Sequence, residues 1–160
     1  MALAVIGSAL VLVAAVIHLV IFVLESILWT RPAVWRLFGL RSQEQAETMR
    51  PMAFNQGYYN LFLAIGAGSG LVLLGAGDLA QAGLALAIFA CASMVLAAVV
   101  LVASSPKLVR AAAVQGVAPL LGSFSSCCRR GREVKPRGVR SRRGPRSTSR
   151  LNGPRRSDRP

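Results

Sequence analysis

The chain predicts an all-α fold, a multi-pass transmembrane helical bundle with three firm spans, a short or compromised fourth and a disordered basic tail. Three observations lead there. The apolar residues, 54% of 160, come in long blocks and not at an amphipathic period. Mean hydropathy is +0.53, above that of ordinary soluble domains. The formal charge of +13 is confined to one end: residues 129–160 hold thirteen Lys or Arg against Glu133 and Asp158, and the preceding 128 residues net only +2.

The first element is expected over about residues 2–28. Ala2 to Leu24 carries no charge, and fifteen of its residues are Leu, Ile, Val or Phe. Each of these favours insertion by about 0.3–0.6 kcal/mol, so one central histidine does not keep the helix out. At about 1.5 Å per residue the stretch covers the roughly 30 Å hydrocarbon core. It lacks a basic n-region and outruns a signal-peptide h-region, so an uncleaved anchor is expected.

The second element is expected over about 52–74, with Pro51 in its first turn, where a missing N–H costs nothing. Gly75, Gly77 and Asp78 make the next turn. The third element follows over about 79–103, and Ser105-Pro106 restarts the chain. The fourth, about 107–122, is too short to span. After it, 123–160 is rich in Arg, Gly, Pro and Ser and lacks periodicity, so disorder is expected. That composition is also the one a GC-rich gene gives when read out of frame, which makes a frameshift near codon 122 a hypothesis that resequencing tests.

Charge sets the expected orientation. Arg31, Arg36, Arg41 and Arg50 follow the first span, and Lys107 and Arg110 follow the third. The positive-inside rule then puts the N-terminus outside an inner (plasma) membrane. With a fourth stretch that stops short of spanning, the basic tail stays in the cytoplasm.

Polar residues inside apolar stretches are the candidate site, because a charge in lipid is costly and faces protein or water. His18, Glu25 and Trp29 recur on one helix face. FNQGYYN, residues 54–60, opens the second span, and its Asn55, Gln56, Tyr59 and Asn60 are expected at the depth of Glu25 and Trp29. Gln115 adds an amide from the fourth stretch. Gly66 and Gly70 form a GxxxG pair, read as helix packing.

Three roles stay open for the cluster. One is structural or ligand-binding, with amides fixing register and closing the inner mouth. The alternative is small-molecule or proton-coupled transport through His18 and Glu25. Least supported is a membrane enzyme: no nucleophile is paired with a base, and no HExxH or phosphate loop occurs, so no catalytic residue is named. Cys91, Cys127 and Cys128 form no CxxC pair, so neither metal nor cofactor is expected. The partner expected is the bilayer itself, with anionic lipid touching the tail. Nucleic acid is disfavoured, since nothing in the tail would read bases.

The residues also resemble a known family. His18, Leu19, Phe22, Leu24 and Glu25, then Trp29, Phe38 and Gly39, then NQGxYN at 55–60, then Val114, Gln115, Gly116 and Pro119 are similar to the small four-helix bacterial membrane proteins catalogued as domain of unknown function 1304. The resemblance covers about residues 3–122. It implies a multi-pass inner-membrane protein and brings no activity, substrate or cofactor.

Overall fold

The computed structural model describes residues 2–133, and every regular element among them is helical. Helix α1 covers Ala2–Phe22 and passes directly into a π-helical turn, Val23–Ile27. A short helix α2, Pro32–Trp35, and a 3-10 turn to Phe38 follow. Then come α3 (Gln43–Leu74), α4 (Ala80–Ser104) and α5 (Val109–Glu133). Helix α1 packs beside α3 and α5, α4 packs beside the same two, and α1 and α4 are diagonal. The four long helices therefore close a square.

The core is made of small side chains. Ala14, Ala15, Ala67, Ala87, Ala90 and Cys91 are buried together with Val11 and Met94. Large apolar groups such as Val5, Phe62, Ile65, Phe89 and Leu96 are exposed on the outside. A water-soluble bundle would bury those groups first. In lipid the outer face can be as apolar as the core, and packing favours residues that let backbones approach. Among the described residues three helices, Ala4–Ile27, Gln43–Leu74 and Gly77–Ser104, are long and apolar enough to cross a membrane.

Glycine is required where helices touch through backbone. A Cβ on Gly70 would lie 2.7 Å from the Ala87 nitrogen, and one on Gly83 would lie 2.6 Å from that of Leu74. These positions draw α3 and α4 together. Gly66, the other half of the expected GxxxG pair, would meet only the Ala90 side chain at 3.6 Å, an ordinary contact.

Two expectations about element limits need correction. The second span does not begin at Pro51: α3 starts at Gln43, and Pro51 lies inside it. Ser42 caps the helix by accepting from the Gln45 N–H at 3.2 Å, and Gln45 Oε1 accepts from the Arg41 N–H at 3.0 Å. Interior proline removes one helical hydrogen bond, and tertiary contact on Ala46 and Ala53 offsets the loss. The segment from Thr30 to Arg50, between the first two expected elements, is thus largely helical.

The fourth stretch does not stop at 122. Helix α5 has 25 residues, and Ala112–Ser123 within it forms an apolar run. Nothing between Gly122 and Pro136 removes a backbone donor, so the helix has no reason to end. Gly116 packs on Ala98 and Gly122 on Val11 and Leu10, so α5 runs back beside α1 toward its N-terminal half. Residues 123–133, expected as disordered tail, continue this helix. The remainder of that expectation, 134–160, lies outside the described residues.

Candidate functional site

The π turn at the end of α1 organises the site. Its closing bond runs from the Leu28 N–H to the Val23 carbonyl at 2.9 Å, one residue wider than an α turn. Such an insertion re-aims the side chains around it, and π turns recur at functional positions. Here it carries Glu25 and Ser26 against α3. Ser26 Oγ donates to the Phe54 carbonyl at 3.1 Å. Gly57 makes the approach possible, since any Cβ there would collide with Ser26 Oγ and lie 3.2 Å from Glu25 Cβ.

Glu25 is only 6% exposed, and a buried carboxylate requires donors. Asn60 Nδ2 supplies one at 3.0 Å to Oε2 and also donates to the Gln56 carbonyl at 3.0 Å. Of the described buried side-chain oxygens and nitrogens only Ser123 Oγ lacks a partner, so the second oxygen, Oε1, which makes no hydrogen bond among the described residues, is not sealed off. Beside it opens a cavity of about 110 Å³ lined by Glu25, Ser26, Ile27, Trp29, Thr30, Arg50 and Phe54. Glu25 and Arg50 share this cavity without forming an ion pair.

Trp29 forms the wall toward the loop. Its indole Nε1 donates to the Ala46 carbonyl at 2.8 Å, and its ring packs on Phe38 with centroids 5.2 Å apart. With Trp35, Ala46 and Ala53 it makes a second, separate core. Trp35 Nε1 donates to Gln43 Oε1 at 3.1 Å, and the Arg36 guanidinium lies 5.0 Å over the Trp35 ring. This small core holds α2 against the start of α3. Gly39, at φ +81°, makes the left-handed turn between them.

The remaining candidates are dispersed. His18 is 1% exposed and donates from Nδ1 to the Ala14 carbonyl of its own helix at 2.9 Å. It lines neither the Glu25 cavity nor the larger apolar groove at Ala4, Ser8, Leu12 and Leu71. Asn55, Gln56 and Tyr59 are exposed on the outer surface of α3, and Gln115 is half-buried with no hydrogen bond among the described residues. Of the FNQGYYN amides, only Asn60 reaches Glu25. Tyr58, which the sequence reading passed over, packs edge-on to Phe22 of α1 at 5.3 Å and against Phe54 at 4.9 Å.

Ser26, Arg50 and Phe54 were also absent from the sequence candidates. Phe54 and Tyr58, four residues apart in an otherwise polar run, were a readable signal for a face turned to α1. Arg50 had none beyond its place before Pro51. Among the described residues no three His, Cys, Asp or Glu side chains gather as a metal site would require.

A family model described as Protein of unknown function (DUF1304) matches residues 12–127. The match starts later than the resemblance read from the motifs and runs past Gly122 to Cys127. No curated protein and no solved structure matches the chain.

Proposed function

Because the chain belongs to the DUF1304 family of proteins of unknown function, we propose a role from its own geometry: a multi-pass inner-membrane bundle that binds a small polar ligand at the Glu25 cavity. The observation that carries this reading is a buried carboxylate with one oxygen held by Asn60 and the other unpartnered beside a cavity that also contains Arg50. An oxygen left open to the cavity is free to accept from a ligand's N–H or O–H donor. The cavity's position at the end of the first span, beside Trp29, supports a location near the headgroup level, where small solutes reach it from water. The fourth helix completes the bundle that holds α1 in place.

Transport coupled to both His18 and Glu25 has less support, because His18 spends its donor on its own backbone away from the cavity. The rival with a specific observation behind it is the structural clamp, favoured by the Asn60–Glu25 bond between α1 and α3.

Thermal unfolding of the full chain in detergent separates the two. Ammonium, guanidinium, ethanolamine, O-phosphoethanolamine, glycine and phosphate are titrated against wild type and Glu25→Gln. At least one probe is expected to stabilise wild type, by roughly 2.7 kcal/mol at a hundred times its Kd, and to leave Glu25→Gln unmoved. Should no probe act, while Glu25→Gln merely lowers the melting temperature, the clamp is the better account.

A further inference from the structure

Resting on the ligand-binding reading above, we infer that the Glu25 cavity takes an ammonium–phosphate zwitterion, the chemistry of ethanolamine phosphate, whether free in solution or as the headgroup of a lipid. The cavity is lined by one acidic and one basic side chain. Glu25 is buried at its inner side and Arg50 is exposed at its rim. A simple cation would be repelled at the entrance by Arg50, and a simple anion would be repelled within by Glu25. A ligand carrying both charges, ammonium first, complements both.

Size selects further. A water occupies about 30 Å³ of liquid, so a cavity of about 110 Å³ has room for only a few heavy atoms. An ammonium and a two-carbon stem fill it. The phosphate then remains at the mouth, where a guanidinium pairs with it through two parallel hydrogen bonds. An ammonium with three N–H donors matches the Oε1 of Glu25 that makes no hydrogen bond among the described residues, and the aromatic residues Trp29 and Phe54 line the same cavity. A quaternary ammonium has three more methyl groups and no N–H to donate, so it should be rejected on both counts.

The full chain in phosphatidylcholine nanodiscs tests this by equilibrium binding of labelled O-phosphoethanolamine, phosphocholine and glycine. A second arm measures by native mass spectrometry whether the protein retains phosphatidylethanolamine in preference to phosphatidylcholine. The expected result is saturable binding of the ethanolamine form in at least one arm, with the choline form and glycine weaker by about tenfold or more. Binding in the first arm alone identifies a free solute, and binding in the second alone identifies a lipid headgroup.

Glu25→Gln, which keeps an acceptor for Asn60, and Arg50→Gln, at an exposed position, should each lose about tenfold. Arg36→Gln, outside the cavity, should lose nothing. Equal binding of choline and ethanolamine forms, or full binding by Glu25→Gln, overturns the inference. If both arms are blank while another small probe still stabilises the protein in a Glu25-dependent way, this ligand class falls and the ligand site stands. If every probe is blank, both fall.

Discussion

Gly57 shows how one residue sets the site. Its missing side chain lets Ser26 Oγ reach the Phe54 carbonyl and lets Glu25 enter the bundle beside α3. Gly57→Ala forces these atoms apart and is expected to destabilise by about 1–3 kcal/mol, the usual range for overpacking. The nearest obstruction is the Ser26 hydroxyl, so Ser26→Ala in the same chain should recover part of that loss. Thermal melts of the two single variants and the double variant measure the coupling; strictly additive losses would mean the two residues do not touch. Asn60→Leu removes the only described donor to Glu25 and should cost about 1–3 kcal/mol, because a buried acceptor loses its partner. The sequence made Glu25 and Asn60 legible as polar groups in apolar surroundings. It could not separate Asn60 from Asn55 and Gln56, because all three fall within about one and a half turns of one helix and only the direction of approach by α1 chooses among them.

Helices α3 and α4 meet through backbone, and that defines which glycines matter. In Gly70→Ala and Gly83→Ala the new methyl groups would press on main-chain atoms that do not swing aside. Each is expected to lower stability by about 1–3 kcal/mol. Gly66→Ala finds ordinary contact distance and should be neutral or slightly stabilising, since alanine is the better helix former. Equal effects at Gly66 and Gly70, read by thermal melting in detergent, would contradict this division of the GxxxG pair. The cap at Ser42 belongs to the same scale: Ser42→Ala should cost about 1 kcal/mol. Its Ser-x-x-Gln pattern, at 42–45, was present in the sequence, but Pro51 suggested a later start. The loss at the interior proline is offset by the second core, which packs on Ala46 and Ala53 to either side of it.

At the scale of the molecule, α5 decides which ends of the chain share a side. It runs antiparallel to α4 and lies along α1, with Gly122 against Val11. Single cysteines at positions 2, 36 and 133 in a cysteine-free background are expected to label from one side for 2 and 133 and from the other for 36. Labelling of 36 and 133 from the same side would restore the short re-entrant stretch that length and charge suggested. The positive charge near both ends explains why the sequence favoured that reading: Arg31 to Arg50 and the basic run after residue 128 compete for one side. A chain ended after Glu133 keeps every helix described and should melt at the same temperature as the full chain. A lower melting temperature would assign the basic segment a part in the fold.

The sequence by itself determined an all-helical chain and the order of three stretches apolar enough to cross a membrane, because hydropathy over twenty residues is a local sum that no neighbour reverses. It also picked out the family, through short motifs spread over residues 18–119. What only the tertiary structure decided is which polar groups meet. His18 and Glu25 share a helical face in sequence, yet one bonds its own backbone and the other is drawn to α3 by a π turn and a glycine on the opposing helix. Pairing depends on how two helices cross and on where one of them gains a residue. Those quantities belong to contacts between distant segments, and no single stretch of chain contains them.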